Sequence, residues 1–339
     1  MKKQFTLSYK ELISLENLLE AWREFLVGKQ SRTDTQEYAL ALMQNIQALN
    51  QDLSSSSYRH GGYRAFTISD PKPRDIHKAS VRDRLLHHAI HRKLYPFFQD
   101  VFVADSYSCQ RKKGVHRALK RFASFGNTVS QNNTRTCWIL KCDIKKFFAN
   151  VHHDILQEIL RAYIPDKDIL ALLDNVLLSF NAGRPGVGLP LGNLTSQLFV
   201  NMYLNALDAF VKHRLKATFY IRYCDDFVIF SYDRSLLEAY LAEIHDYLLT
   251  SLQLELHPRK VSIDTLASGV DFLGWVHYPR HRILRTTTKR RMFKRIDESP
   301  RSEVLSSYLG LLQHGTTIKL KRDLLKKYSI ARENRFLPP

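Results

Sequence analysis

Residues 219–232 read FYIRYCDDFVIFSY, two β-rich runs hinged at Cys224-Asp225-Asp226. Short apolar, aromatic and β-branched runs on either side of a polar hinge predict an antiparallel hairpin with its acids in the turn. Two neighbouring carboxylates set between "YIRY" and "FVIF" lose hydration and repel one another. Either Asp-Asp is merely good turn chemistry, or the pair is held for a cation.

Working outward, "CWILKCDIKKFF" (137–148) is an apolar run that predicts a buried strand ending at Asp143. A third acid therefore closes another buried strand. Asp143 can be a plain strand terminator. Alternatively, Asp143, Asp225 and Asp226 together form the carboxylate set of a phosphoryl-transfer site. There Mg²⁺ takes one or two carboxylates plus phosphate oxygens, and two such ions flank an in-line displacement. A zinc site from Cys137, Cys142, His152 and His153 is the weaker metal reading, because the four cysteines show no Cys-x-x-Cys spacing and read as reduced thiols.

The rest of the chain predicts an α+β palm. "SLENLLEAWREFLVGK" (14–29) places Leu18, Trp22 and Phe25 on one helical face, with Ser14 as cap and Gly28 as stop. "TQEYALALMQNIQALNQDL" (35–53) reads as one further helix, and "SSSSYRHGGYR" (54–64) as a linker. A strand, a turn at Pro71-Lys72-Pro73 and a long basic helix come next. "DRSLLEAYLAEIHDYLLTSL" (233–252) is an amphipathic helix capped by Asp233, and "VDFLGWVHY" (270–278) reads as a single strand. The mixture lacks strict βαβ alternation. The expected division is a helical extension over 1–55, fingers over 56–135, a palm over 136–278 with an insertion around 160–187, and a basic thumb over 279–339.

The chain has 339 residues, with 51 Lys+Arg against 33 Asp+Glu, a formal net charge of +18. Such a field favours a polyanion, nucleic acid before an acidic membrane surface. A merely soluble basic protein is the bland alternative, but "PRHRILRTTTKRRMFKR" (279–295) gathers its Lys and Arg without a single acid. Clustering of that kind fits a stripe that tracks phosphates. No apolar run reaches the length of a membrane span, and the charged N-terminus excludes a signal peptide; no membrane role is expected.

"YCDDFVIFS" (223–231) resembles the Tyr-x-Asp-Asp box of reverse transcriptases, and "KCDIKKFFANV" (141–151) their first catalytic strand. Further segments occur in the family's order: "PKPRDIHKASVRDRLLHHAI", "DSYSCQRKKGVHRAL", "GLPLGNLTSQLFVNMYL", "LELHPRK" and "DFLGWVHY". The resemblance implies a right-hand polymerase fold with fingers, palm and a short helical thumb. It implies an RNA-directed DNA polymerase using two Mg²⁺ ions, with Mn²⁺ able to substitute, held by Asp143, Asp225 and Asp226. Phe148 falls at the steric gate against the ribose 2′-hydroxyl, although Phe147 and Phe148 can equally be core aromatics. Arg74 matches the fingers arginine on the incoming triphosphate, with Lys72 secondary. Leu191, Gly192 and Gln197 belong to the loop and helix under the templating pair, where Gly188 and Gly192 would let the backbone approach the nucleotide. Lys260 matches the lysine that would protonate pyrophosphate. Arg111, Lys112 and Lys113 would track template phosphates or form a solvated basic turn. Phe272, Leu273, Gly274 and Trp275 would be the primer grip, and Arg285, Lys289, Arg290 and Arg291 would grip the duplex.

Many relatives carry glutamine before the second glycine of this loop. Here Leu191-Gly192, with Ser196-Gln197 after it, resembles the diversity-generating retroelement branch of the group II intron-like enzymes. That implies a structured RNA template supplied in trans, dNTP substrates, an RNA/cDNA duplex product, a small basic accessory protein and errors at template adenines for targeted hypermutation. A cytoplasmic, bacterial or phage-encoded enzyme is expected. The segment after "DFLGWVHY" predicts a thumb without an RNase H, endonuclease or maturase DNA-binding domain. Two rivals stand beside it: an antiphage defence enzyme copying a noncoding RNA, and a non-catalytic RNA-binding scaffold on the same fold.

Overall fold

A computed structural model describes residues 3–69 and 73–333. Four helices come first: α1 (Tyr9–Ile13), α2 (Leu15–Leu26), α3 (Thr33–Leu40) and α4 (Leu42–Ser54). Ser14 caps α2 by accepting from the Asn17 amide, and Leu18, Trp22 and Phe25 turn inward as the sequence period requires. The expected single helix over 35–53 is instead broken at Ala41, whose backbone leaves the helical region (φ −120°, ψ 40°). Strands β1 (Arg64–Ile68) and β2 (Arg74–Lys78) pair as an antiparallel hairpin, where the sequence suggested one strand before the long helix. Two helices come next, α5 (Val81–Val101) and α6 (Val115–Val129).

The palm sheet has the order β4-β5-β3-β6, all antiparallel: β3 is Trp138–Asp143, β4 Tyr220–Tyr223, β5 Asp226–Ser231 and β6 Ser262–Thr265. Between β3 and β4 run α7 (His153–Arg161), α8 (Lys167–Leu178) and α9 (Leu194–Ala209), and α10 (Arg234–Ser251) joins β5 to β6. Strand alternation sorts the sheet's side chains into two cores. Leu140, Cys142, Phe227 and Ile229 face a core shared with α9 and α10. Ile139, Ile221, Val228 and Phe230 face a second one under Phe122 and Phe125 of α6. The open edge of β4 is closed by the loop before α6, where Arg222 N–H donates to the Asp105 carbonyl and Tyr107 N–H to the Arg222 carbonyl (both 3.0 Å).

"VDFLGWVHY" is a hairpin and not one strand. β7 (Val270–Phe272) and β8 (Trp275–His277) pair across Leu273-Gly274, whose φ values of 51° and 84° are the double left-handed pattern of a tight two-residue turn. Strand β9 (Arg282–Leu284) completes this sheet. Beyond it α11 (Thr286–Glu298), α12 (Ser302–Leu312) and α13 (Ile318–Glu333) bury Met292, Ile296, Leu312 and Leu324 against Trp275 and Leu119. Among the described residues no helix is long and apolar enough to cross a membrane.

Candidate active site

The register of the palm sheet brings the acids together. Asp143, the last residue of β3, pairs directly with Asp226, the first of β5, and the two side chains share a hydrogen bond. Asp225 sits in the two-residue turn between β4 and β5, and its carbonyl accepts from Ile144 N–H at 3.2 Å. The turn is tight enough to hold Cys224 at φ +57°, a left-handed conformation that costs a residue with a side chain.

Burial, then the charges of Asp143 and Asp225, push the Asp226 carboxyl up to about 7. Burial is also the first cause that raises Asp225, with Asp143 adding to it. Lys260 offsets part of this repulsion, its Nζ 2.7 Å from both oxygens of Asp143. Lys260 is positioned by its own backbone amide on the His257 carbonyl, while His257 N–H donates to the Asp143 carbonyl at 2.7 Å.

Like charges crowded in this way are the donor set that a hard divalent cation suits. Among the described residues no three His, Cys, Asp or Glu side chains close into a ready-made cage. Mg²⁺ is commonly bound by one or two carboxylates, with substrate phosphates completing its shell. The zinc reading fails on geometry: Cys137 packs in the α6 core and Cys142 on the opposite side of β3, so they cannot share an ion.

A support that the sequence reading missed lies beneath the turn. Arg222 and Asp208 are both fully buried and joined in a fork, Nε–Oδ1 at 2.7 Å and Nη2–Oδ2 at 2.6 Å. Tyr220 Oη also donates to Asp208 Oδ1 at 2.6 Å, and Arg222 Nη1 reaches the Cys224 carbonyl at 3.2 Å. The fork thereby ties α9 to the residue just before Asp225. The available signal was the arginine inside "YIRY", since a charge in a buried strand requires a partner.

The other candidates fall into three places. Arg74 opens β2 and is exposed, whereas Lys72 lies outside the described residues. Strand β2 is stitched to the Leu191 loop: His77 N–H donates to the Leu191 carbonyl at 2.9 Å, and Asn193 Nδ2 to the His77 carbonyl at 3.0 Å. Arg74 and Leu191 therefore belong to one connected unit. Within the protein the glycines have a packing reason. A Cβ on Gly192 would meet Ile76 Cγ2 at 2.8 Å, and one on Gly188 would meet Ala182 Cβ at 2.4 Å. Both glycines make room for neighbouring protein. Phe147 is buried, while Phe148 is half-buried against the main core and its carbonyl accepts from Leu189 N–H at 2.8 Å. Gln197 is half-buried in the first turn of α9.

Arg111 and Lys112 are exposed, with the Arg111 guanidinium over the Tyr95 ring. Lys113 is turned inward and donates to the carbonyls of Ala104 (2.9 Å) and Ser106 (2.8 Å), so it anchors its loop. Phe272 and Trp275 are buried, leaving the Leu273-Gly274 turn as the accessible part of that hairpin. Arg285 is paired with Asp271, and its amide donates to the Gly274 carbonyl at 3.1 Å. Lys289, Arg290 and Arg291 are exposed on α11.

An antiparallel palm carrying paired carboxylates, flanked by a hairpin-bearing domain and a basic helical domain, defines a nucleic acid polymerase of the right-hand class. Residues 69–277 match the family described as reverse transcriptase (RNA-dependent DNA polymerase), and the chain belongs to that family. Its relatives include Protein YkfC of Escherichia coli (26% identical over 285 residues, 72% of each chain). The group II intron-encoded protein LtrA of Lactococcus lactis subsp. cremoris is 25% identical over 176 residues, which are 50% of this chain and 28% of LtrA. An uncharacterised 91 kDa protein in the cob intron of Schizosaccharomyces pombe is 28% identical over 167 residues, 47% of this chain and 18% of that one. The chain thus spans most of YkfC but under a third of the intron proteins. In fold it is similar to telomerase from Candida albicans in complex with a fragment of telomeric RNA, with a TM-score of 0.52 at 13% identity over 81% of this chain and 55% of the telomerase.

Proposed function

We propose that the protein is an RNA-directed DNA polymerase that copies a structured RNA, supplied in trans, into cDNA with low fidelity. The observation that carries the chemistry is the cross-strand pairing of Asp143 with Asp226, with Asp225 at the adjoining turn. A divalent cation bound there would supply the charge that stabilises the attacking and leaving oxygens of nucleotidyl transfer. Asp143, Asp225 and Asp226 are the residues that would hold it, two ions at a time in the presence of a dNTP. The chain's own part is to keep these carboxylates close at the end of a rigid sheet, with Lys260 as their counter-charge. Arg74, on the strand stitched to the Leu191 loop, would act together with that loop on the incoming nucleotide.

The Leu191-Gly192 pair supports the low-fidelity reading. An aliphatic side chain cannot donate a hydrogen bond to a sugar or base edge, and discrimination built on polar contacts is the strong kind. Copying for targeted hypermutation, with a small basic accessory protein, is the role we assign on this ground. Sequencing the RNA and DNA that co-purify from the native locus tests it. cDNA matching a nearby RNA with substitutions concentrated at template adenines is the expected result, and faithful cDNA made mainly on phage infection would instead assign a defence role. With Asp225→Ala/Asp226→Ala, primer extension should fall by about 10³-fold or more, since metal charge stabilisation is worth several kcal/mol and each ~1.4 kcal/mol is tenfold. Extension undiminished in that variant would reject the carboxylate assignment.

A further inference from the structure

A cavity of about 610 Å³ lies where α6, the β8–β9 loop and the loop between α12 and α13 meet. It is separate from the carboxylate site. Leu266 in its wall directly follows Thr265, which pairs with Trp138 at the start of β3. Asp143 ends the same strand, so the full length of β3 lies between them, about 17 Å at ~3.3 Å per residue.

The wall is strongly one-signed. Lys120, Arg280 and Arg282 line it together with three histidines, and no Asp or Glu contributes to it. Lys120 and Arg280 are exposed. Arg282 lies over the Trp275 ring, and its Nε donates to the His314 carbonyl. That wall is preformed: Thr316 N–H donates to the Arg282 carbonyl at 3.0 Å, and the His314 ring stacks on His116 at 3.5 Å. Gly315 fits there because a Cβ would meet the Trp275 ring at 2.1 Å.

One residue of the wall has a buried polar atom without a partner. His277 is 3% exposed, its ring bonds the Phe272 backbone, and its Nε2 is buried without a hydrogen bond. A ring that donates from Nδ1 to a carbonyl presents a lone pair at Nε2 when neutral. Burial, and then Arg282, hold this imidazole down to about 4, so it is neutral at pH 7. The cations of the wall call for an acid. A nucleotide supplies one as its phosphate, and 610 Å³ is the size of a small-ligand site. Exposed Asn127 and Asn133, whose amides can read a base edge, also line the cavity.

We infer that this cleft is a second RNA site, outside the polymerase groove, which seats a nucleotide of a single strand with its phosphate on Lys120, Arg280 and Arg282 and its base edge beside Asn127 and Asn133. It would retain a single-stranded part of the RNA while the groove holds duplex. The inference rests on the lining of the cleft and stands whether or not the carboxylates polymerise.

The test uses the full chain with the groove saturated by a blunt RNA/DNA duplex, and measures anisotropy of a short fluorescein-labelled single-stranded RNA. The wild-type protein should still bind the probe, and Lys120→Glu and Arg280→Glu should each weaken that binding by about tenfold. Lys120→Glu should keep its melting temperature and its primer extension on a short template, which separates a failure of the cleft from a failure of the polymerase. Probe binding that is abolished by the duplex, or unchanged in both charge reversals, would overturn the inference. Adenosine monophosphate binding as tightly as the RNA would overturn the strand in favour of free nucleotides. A poly-glutamate peptide binding where RNA does not would overturn the nucleic acid.

Discussion

At the scale of single residues, the three aspartates were legible because each interrupts or ends an apolar run where a carboxylate is costly. Lys260 was matched to a lysine acting on pyrophosphate, but its contact with both oxygens of Asp143 follows from the fold alone. That contact makes it a competitor of any cation at Asp143. Lys260→Met should tighten Mg²⁺ binding, read from the Mg²⁺ dependence of the melting temperature, by about fivefold, in keeping with ~1 kcal/mol for a partly exposed ion pair. Unchanged Mg²⁺ dependence would mean the lysine leaves before the ion arrives. Asp226 predicts a pH effect of definite sign. Its folded-state pKa of about 7 lies above the ordinary carboxylate value, so between about pH 4 and 7 the folded chain holds a proton that the unfolded chain has released. Stability of the metal-free protein is therefore fully present below pH 4 as far as this group is concerned, and is lost as pH rises through 7. Asp226→Asn should flatten that fall in urea titrations run without Mg²⁺. Leu191→Gln, which restores a donor beside the Gly192 turn, should lower misincorporation most opposite template adenines in sequenced cDNA; equal error spectra would remove Leu191 from the fidelity argument.

At the scale of elements, period and capping signals marked α2, α10 and β3 correctly because burial of one face fixed each of them. The reading failed where backbone conformation outweighed composition. "VDFLGWVHY" looks continuous, yet Leu273 takes a left-handed φ that no propensity announces for leucine, and the run folds back on itself. The Arg222–Asp208 fork was equally hidden, since its two members are fourteen residues apart and only the docking of α9 against β4 brings them together. It is the device that holds the Cys224-Asp225 turn. Removing one partner strands a buried charge: Asp208→Asn or Arg222→Met should cost about 3–5 kcal/mol in urea unfolding. The double change Asp208→Leu/Arg222→Met should recover part of that, because it leaves no buried charge unpaired, the Tyr220 hydroxyl alone losing its acceptor. If the double variant regains stability but not primer extension, the fork is retained for positioning Asp225 and not for folding.

At the scale of the molecule, the basic stripe at 279–295 is divided between two surfaces whose separation the sequence could not reveal. The stripe at 279–295 reads as one tract, but β9 and the turn into α11 split it. Arg280 and Arg282 go to the cleft beside α6, whereas Lys289, Arg290 and Arg291 stand on the outer side of α11. The cleft draws on residues 120–133, 266–282 and 314–316, so no local pattern could have marked it. The division predicts separable electrostatics. Each phosphate contact adds close to one to the slope of log affinity against log salt, whatever the base sequence. For an RNA/DNA duplex, Lys289→Ala/Arg290→Ala should lower that slope by about two, while Lys120→Glu should leave it unchanged. For single-stranded RNA measured with duplex in place, the dependence should invert, with Lys120→Glu altering the slope and the α11 pair not. Parallel responses in the two titrations would mean that a single continuous basic surface serves both ligands, and that the split of the stripe by β9 has no functional consequence.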